Sequence, residues 1–251
     1  MEKLFEKAIS VSDLCLTYGN FKVLDQVSFD VIKGACTIIM GGSGCGKSTL
    51  LKSLIGLLKP KAGHVLIEES DLWHASNSAR QKLLRKCGVL FQGGALWSSL
   101  NILENLSLPL QTHTSLSEKE IKELACYKLS LVGLTGFEEF YPSEISGGMR
   151  KRAGIARAMI LDPSIIFLDE PSAGLDPVNS RRLDDLINEL KQSLGVTFVV
   201  VTHELASIFE IGDHSIFLDS SSKSLIAKGS PKDLLKNCEI NEVQSFLQRK
   251  G

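Results

Sequence analysis

The nine residues GGSGCGKST, from Gly41 to Thr49, constrain the fold of this chain more than any other segment. They fit the pattern G-x-x-x-x-G-K-[ST], which joins a buried strand to the first turn of a helix. The apolar run TIIM precedes the loop and STLLKSLIGLL follows it, as that geometry requires. The pattern therefore predicts a strand, a phosphate-binding loop and a helix, in that order.

The residue types of this loop suit an anion. Glycines let backbone N–H groups approach phosphate oxygens, and the helix N-terminus adds a partial positive charge. Lys47 is expected to reach the β- and γ-phosphates and Ser48 to ligate Mg²⁺. The predicted nucleotide-binding residues are Gly41, Gly42, Ser43, Gly44, Cys45, Gly46, Lys47, Ser48 and Thr49. The alternative is a glycine-rich turn without function.

The hydrophobic pattern predicts an α/β fold. ACTIIM, CGVLF, SIIFLD and VTFVVVTH are short apolar runs without alternation, which is typical of parallel strands covered on both faces. Apolar residues recur at helical spacing from Leu50 to Leu58 and from Leu183 to Leu194, the second run stopping at Gly195. Earlier, KVLDQVSFDVIKG alternates apolar and polar residues, which favours antiparallel strands near the N-terminus.

A mostly helical segment, about 93–160, interrupts the strands. It includes SEKEIKELACYKLSLVGL, in which Ser117 and Glu120 have the spacing of a capping box. We interpret it as a helical subdomain inserted into the sheet core. Because the chain shows no linker, low-complexity tract or internal repeat, we expect residues 1–251 to form a single domain.

Two adjacent carboxylates end the run SIIFLDEP. Asp169 and Glu170 point to opposite sides of a strand end and can therefore take different tasks. Asp169 is expected to hold Mg²⁺, directly or through water. Glu170 is the candidate general base that polarises the attacking water. The alternative is a pair of exposed acids at a strand terminus.

A histidine and a glutamine follow two other predicted strands. His203 comes after VTFVVVT, and Gln92 closes CGVLF. In a parallel sheet the carboxyl ends of the strands meet at one edge, where ligands bind. We therefore expect His203 to contact the γ-phosphate and Gln92 to sense both Mg²⁺ and the water. A surface histidine and a solvent-exposed amide are the alternatives.

The stretch SEISGGMRKRAGIARA predicts a second anion site. Ser146, Gly147 and Gly148 open a helix, so they offer a hydroxyl, free N–H groups and a helix dipole. The basic side chains on this helix are Arg150, Lys151, Arg152 and Arg157. Since one chain already has a phosphate loop, we expect this turn to serve a second copy related head to tail by a two-fold axis.

Composition excludes several classes of protein. The 28 basic and 29 acidic side chains give a net charge of -1, so we expect no nucleic-acid partner. The six scattered cysteines predict neither a disulfide framework nor a metal site. Cys45 lies within the loop, so we expect a bulky thiol reagent to inhibit and bound nucleotide to protect. No apolar run approaches the roughly 20 residues of a membrane span, and MEKLFEKAIS lacks a signal-peptide core.

These motifs together carry a family resemblance that covers essentially the whole chain. The chain resembles the ATP-binding subunits of ABC transporters, with a Walker A loop, a Q-loop, an ABC motif, a Walker B strand, a D-loop and a switch histidine. The corresponding residues are Gly41 to Thr49, Gln92, ISGGM, Ile165 to Glu170, SAGLD ending at Asp176, and His203. The resemblance implies ATP hydrolysis with Mg²⁺, and Asp176 at the nucleotide.

The resemblance also implies that Tyr18, in LTYGN, stacks on adenine. A buried structural tyrosine is the alternative. The ABC motif usually reads LSGGQ, whereas Ile145 and Met149 replace its leucine and glutamine here. The serine and both glycines are kept, so sandwiching of ATP between two copies is still expected.

A narrower resemblance points to lipid. SGGMRKRAGIARA and FQGGALWSSLNILENLSLPL look like the ATPases of Mla or Mce-type lipid-transport systems. That likeness implies phospholipid transport, a polytopic permease, Mce-domain and STAS-domain partners, and a place on the cytoplasmic face of the inner membrane. The alternatives are a small-solute importer, for amino acids or metal ions, and a soluble ATPase of iron-sulfur assembly. Leu96, Trp97 and Leu100 either dock a permease helix or cap the helical subdomain.

Overall fold

The computed structural model describes residues 6–248. The strands are β1 Lys7–Tyr18, β2 Phe21–Ile32, β3 Cys36–Gly41, β4 Ala62–Ile67, β5 Ser70–Asp71, β6 Cys87–Leu90, β7 Ile165–Asp169, β8 Thr197–Val201, β9 His214–Asp219 and β10 Ser224–Gly229. The helices are α1 Lys47–Leu54, α2 Asn77–Arg85, α3 Ile102–His113, α4 Glu118–Leu131, α5 Gly147–Ala158, α6 Pro177–Leu194, α7 Leu205–Ile211, α8 Pro231–Asn237 and α9 Asn241–Gln248.

The strands form two sheets. One is antiparallel, with the order β2-β1-β4-β5. The other has the order β10-β9-β3-β8-β7-β6, and its strands are parallel except for β10. The predicted α/β fold, with a mostly parallel core sheet and an antiparallel N-terminal part, is confirmed.

Unalternated apolar runs became strands covered on both faces. In β8, Phe198 and Val200 pack in one hydrophobic cluster, whereas Val199 and Val201 pack in the other. Successive side chains of a strand point to opposite faces, so each cluster covers one face of the parallel sheet. Burial on both faces holds the strand ends, and the loops that follow them, in fixed positions.

Helices α3, α4 and α5 lie between β6 and β7 in the chain, where the helical segment was predicted. Two capping boxes begin α3 and α4. Ser117 accepts from the Glu120 N–H at 3.4 Å while Glu120 accepts from the Ser117 N–H at 2.8 Å, as predicted. Asn101 and Glu104 form the same reciprocal pair at the start of α3, both at 2.8 Å.

The first core helix is shorter than the hydrophobic pattern predicted. Helix α1 ends at Leu54, and Leu58 lies outside it. The reason is Gly56, whose φ of +79° is left-handed and ends the helix. The Arg80 guanidinium donates to the Gly56 carbonyl oxygen at 2.5 Å and holds this turn. Within residues 6–248, no helix is long and apolar enough to cross a membrane.

Candidate functional site

The predicted site residues follow four strands of the parallel sheet. The order β3-β8-β7-β6 brings the Gly41–Thr49 loop, His203, the Asp169–Glu170 pair and Gln92 to the same edge, because these strands run parallel. Burial raises the pKa of Asp169, and Lys47 is among the positive charges that partly offset this rise, so the loop and the carboxylates lie within electrostatic reach. This convergence is the one the sequence predicted.

The loop backbone is shaped for an anion. Gly41 has a φ of +145°, and a Cβ there would lie 2.2 Å from the Leu218 carbonyl oxygen, so only glycine fits. Gly46 begins α1 at a φ of +100° without a side-chain cap. The first N–H groups of an uncapped helix remain available to a phosphate. The Lys47 ammonium donates to the carbonyl oxygens of Gly41 and Gly42, at 2.9 and 2.8 Å.

The position of Cys45 contradicts the predicted reaction with a bulky thiol reagent. Its side chain is only 2% exposed and belongs to the hydrophobic cluster under the loop, whereas Gly42, Ser43 and Gly44 are exposed. Burial raises the pKa of the Cys45 thiol. The thiolate is the reactive form, so a bulky reagent meets an inaccessible and protonated sulfur. The expected labelling of Cys45 at the nucleotide does not agree with this geometry.

The acidic pair offers unsatisfied oxygens to the site. Oδ1 of Asp169 and Oε2 of Glu170 are buried without a hydrogen-bond partner. Burial raises the pKa of Asp169, and the negative charge of Glu170 raises it further. Buried carboxylate oxygens are normally paired, and Mg²⁺ takes oxygen ligands, so the orphaned Asp169 oxygen fits the predicted metal role.

Glu170 has an unusual backbone conformation. Its φ of +48° is left-handed, and its N–H donates to the Val201 carbonyl oxygen of β8 at 2.8 Å. A non-glycine residue in this region costs on the order of 1–3 kcal/mol, and such residues cluster at active sites. Oε1 of Glu170 lies 2.8 Å from Nδ1 of His203. This backbone conformation therefore accompanies a carboxylate that contacts the histidine.

A buried lysine joins the glutamine to this pair. Lys151 is 7% exposed, and its ammonium donates to the Gln92 carbonyl oxygen and, at 3.3 Å, to the Glu170 carbonyl oxygen. Burial lowers the pKa of Lys151, while the charges of Asp169 and Glu170 raise it. Sequence reasoning grouped Lys151 with the second anion site. The helical spacing of Gly148, Lys151 and Ile155 could have indicated that Lys151 lies on the buried face of α5.

The other basic residues of α5 also differ from the prediction. Arg150 donates to the carbonyl oxygens of Pro142 and Ile145, at 3.3 and 2.8 Å. Arg152 donates to the carbonyl oxygens of Val132 and Gly133, at 2.8 and 3.1 Å, and Arg157 donates to that of Ala95. A guanidinium has five donors, and here they satisfy loop carbonyls of the same chain. All four side chains therefore bind carbonyl oxygens of their own chain, and of the four only Arg150 lies beside the Ser146 turn, where its guanidinium would be 3.8 Å from a Cβ on Gly147.

The Ser146 turn itself keeps its predicted form. Ser146 caps α5 by accepting from the Met149 N–H at 3.3 Å. A Cβ on Gly148 would lie 3.3 Å from Oδ1 of Asn179, so this turn packs against the start of α6. Asp176 caps α6 by accepting from the N–H groups of Val178 and Asn179, both at 3.0 Å. The ABC motif and the D-loop therefore form one continuous surface.

Comparison with known proteins identifies the family. Residues 24–173, more than half of the chain, match the family model described as ABC transporter. The chain belongs to the ABC transporter family. It is therefore an ATPase that binds and hydrolyses ATP.

Three relatives place this ABC ATPase more closely. It is 41% identical over 240 residues to the probable ribonucleotide transport ATP-binding protein mkl of Mycobacterium leprae, covering 96% of this chain and 68% of that protein. It is 38% identical over 247 residues to MlaF of Escherichia coli K12, an intermembrane phospholipid transport ATP-binding protein, covering 98% and 91%. A dimeric ATP-binding cassette in a post-hydrolysis state with ADP and Pi is 30% identical, with a TM-score of 0.79 and coverage of 88% and 98%.

Tyr18 of this ABC ATPase lies at the end of β1 and is 48% exposed. The alternative, a buried structural tyrosine, is therefore wrong. An exposed aromatic ring can stack on a flat base, and the adenine role stays a prediction.

The loop after Gln92 contains an exposed tryptophan and a buried asparagine. Trp97 is 59% exposed, whereas Leu96 and Leu100 are half-buried. Asn105, fully buried, accepts from the Trp97 N–H at 2.7 Å and donates to the carbonyl oxygens of Trp97 and Leu100, both at 3.0 Å. Asn105 holds the loop so that the indole projects outward. Sequence reasoning missed Asn105, which lies inside the helical pattern of α3.

Proposed function

We propose that this ABC ATPase is the ATP-binding subunit of a transporter that moves phospholipid between membranes. It works as a head-to-tail dimer on the cytoplasmic face of the inner membrane, attached through a polytopic permease, with Mce-domain and STAS-domain proteins as further partners. The similarity to E. coli MlaF along 91% of that protein supports the lipid assignment. Fold alone would not, because many functions share this fold.

The chemistry depends on one observation, the Glu170 carboxylate that faces the loop edge with one buried oxygen unpaired. An attacking water placed there can give its proton toward Glu170 as general base. His203, 2.8 Å from the other oxygen, orients this carboxylate and reaches the γ-phosphate. Lys47 binds the β- and γ-phosphates and balances their charge.

Ser48, Asp169 and Gln92 would hold Mg²⁺. Ser48 is exposed at the start of α1, and Asp169 offers the unpaired Oδ1. When bound, Mg²⁺ neutralises charge on the phosphate oxygens. Gln92 follows β6, and Lys151 holds its backbone carbonyl, which supports a role for its side chain in reporting the occupancy of the site to the Trp97 loop.

Two copies would complete each site. Within one chain the Ser146 turn packs on α6, beside Asp176, and the Arg150 guanidinium at this turn already donates to the Ile145 carbonyl oxygen. This leaves the Ser146 hydroxyl and the first amides of α5 for the γ-phosphate held by the other copy. The dimeric cassette with ADP and Pi supports such an arrangement. ATP then joins the copies, and hydrolysis separates them.

Other substrates define the alternatives. The M. leprae relative is named for ribonucleotide transport, which favours a solute as a second candidate. A small-solute importer for amino acids or metal ions would share the same ATPase chemistry. Both transport relatives stand against a soluble role in iron-sulfur assembly.

A pull-down distinguishes these candidates. The chain is purified from its own membranes in mild detergent, and copurifying proteins and lipids are identified by mass spectrometry. A permease with an Mce-domain protein and bound phospholipid is the expected result. A permease with a solute-binding protein and no enriched lipid would overturn the lipid assignment and leave the ATPase chemistry intact. A Trp97→Ala sample serves as the control for capture through the permease.

A further inference from the structure

Three metal-ligating side chains meet on the antiparallel sheet, outside the nucleotide site. His64 lies in β4, Asp71 ends β5, and His74 follows in the next turn. Nδ1 of His64 is 2.6 Å from Oδ2 of Asp71, and Nδ1 of His74 is 3.0 Å from the same oxygen. One donor atom from each residue lies within 4.8 Å of the others. Both imidazoles therefore contact the same carboxylate oxygen at hydrogen-bonding distance, and a metal ion would replace these contacts.

The central carboxylate is oriented by the backbone. Oδ1 of Asp71 accepts from the N–H groups of Trp73 and His74, at 2.9 and 3.0 Å. These bonds use one carboxylate oxygen and direct the other at the two imidazoles. The Asp71 side chain is half-buried, while both histidine side chains are exposed. The ligands are thus partly preorganised and open to solvent on one side.

The donor set selects the class of metal. Two imidazole nitrogens and one carboxylate oxygen suit Zn²⁺ and neighbouring transition metals, whereas Mg²⁺ and Ca²⁺ prefer oxygen alone. We propose that His64, Asp71 and His74 bind Zn²⁺ or a similar divalent transition metal, with water at the remaining position. This site differs in chemistry and place from the Mg²⁺ site at the edge of the parallel sheet.

One residue links this site to the phosphate loop. Trp73 lies between two of the ligands, and its indole N–H donates to the Ser53 carbonyl oxygen of α1 at 3.2 Å. The Arg80 guanidinium lies 4.1 Å from the centre of the Trp73 ring and also holds Gly56. A metal that fixes the turn around Trp73 would therefore stiffen the end of the helix that follows the loop, and would stabilise the folded chain.

The test is a calorimetric titration of the nucleotide-free full chain with Zn²⁺. We expect one equivalent to bind with a rise in Tm. His64→Ala and His74→Ala should each weaken binding at least about tenfold, on the scale by which metal-site changes act. His113→Ala, an exposed histidine at the end of α3, is the matched control and should bind as the parent does. A parent chain that binds no Zn²⁺, or histidine variants that bind it unchanged, would overturn the proposal.

The metal could also bind to cysteine thiolates or to the His203–Glu170 pair, and the experiment distinguishes both. The chain has six free cysteines, and thiolates in general also bind Zn²⁺. Co²⁺ therefore replaces Zn²⁺ in an absorption measurement, where a thiolate-to-cobalt charge-transfer band would contradict our assignment. Loss of binding in His203→Ala, with His64→Ala unaffected, would instead place the metal at the Glu170 pair. Asp71→Asn keeps an oxygen for the Trp73 and His74 amides, so it removes the ligand charge even where an alanine variant folds poorly.

Discussion

Nδ1 of His203 lies 2.8 Å from Oε1 of Glu170, while the other carboxylate oxygen of Glu170 is buried and unpaired. The histidine therefore holds one oxygen, and the second has no hydrogen-bond partner within the chain. A residue in this position can accept a proton without losing its orientation, which is what a general base needs.

Glu170→Gln should keep ATP binding and lose most turnover. The amide preserves the shape and the contact to His203 but cannot accept the proton, so we expect a fall in kcat of roughly 10²-fold or more. Because ATP is then bound without being cleaved, size-exclusion chromatography with ATP should give more dimer than the parent. Glu189→Gln, an exposed change on α6, is the control. Turnover by Glu170→Gln at the parental rate would remove Glu170 from the base role.

Lys47→Ala tests the phosphate loop. Its ammonium lies against the carbonyl oxygens of Gly41 and Gly42, at the position where phosphates would bind. Removing the charge should raise the Kd for ATP at least about tenfold, a loss of roughly 1.4 kcal/mol. Fluorescence titration with a labelled nucleotide measures this, with Lys119→Ala, an exposed lysine on α4, as the comparison. An unchanged Kd would contradict the loop assignment.

Lys151→Met tests the buried link between Gln92 and Glu170. Methionine keeps the length and apolar stem but leaves two carbonyl oxygens without their donor, at a cost of about 1–3 kcal/mol each. We expect kcat to fall while the Kd for ATP stays close to that of the parent, because Lys151 positions the reacting groups and does not touch the phosphates.

Lys151→Arg separates positioning from general destabilisation. Arginine restores the charge and the donors, so it should recover part of the lost turnover. In Lys151→Met, kcat and ATP binding could both fall only in proportion to the fraction of folded protein. That result would show that Lys151 has a structural role alone.

Much of this site could be predicted because the carboxyl ends of parallel strands lie at the same edge of the sheet. Once β3, β6, β7 and β8 were recognised as buried runs, the edge shared by Lys47, Asp169, Gln92 and His203 followed from topology. That inference needs only the direction of each strand. Buried apolar runs that are joined by helices indicate that the strands are parallel.

Side-chain direction could not be predicted in the same way. Cys45 is one residue from the exposed Gly44, yet φ values of +76° at Gly44 and +100° at Gly46 turn its sulfur into the core. Lys151 and Arg152 are adjacent on one helix and serve different loops, because which carbonyls they meet depends on how α5 packs. The contacts that a charged side chain on a helix makes therefore depend on tertiary packing.

Trp97→Ala tests the proposed contact with the permease. The indole is exposed and its backbone is held by Asn105, so its removal should leave folding and basal ATP hydrolysis unchanged. Recovery of the permease in a pull-down should fall several-fold, since exposed aromatic anchors dominate interfaces. Tyr127→Ala, an equally exposed aromatic on α4, is the control. Equal recovery of the permease by both variants would contradict the role of Trp97.

Asp184 predicts a pH-dependent stability. It is 3% exposed on α6, accepts from the Ser207 hydroxyl at 2.9 Å, and burial raises its pKa to about 6. Because the pKa of Asp184 is higher in the folded chain than in the unfolded chain, its ionisation opposes folding. The free energy of unfolding is therefore highest below the unfolded pKa near 4 and falls as pH rises through the folded pKa of about 6, by roughly 3 kcal/mol in all. Asp184→Asn should therefore raise Tm more at pH 8 than at pH 5. Glu189→Gln, an exposed change on the same helix, should not, and equal shifts of Tm for Asp184→Asn at both pH values would contradict the titration.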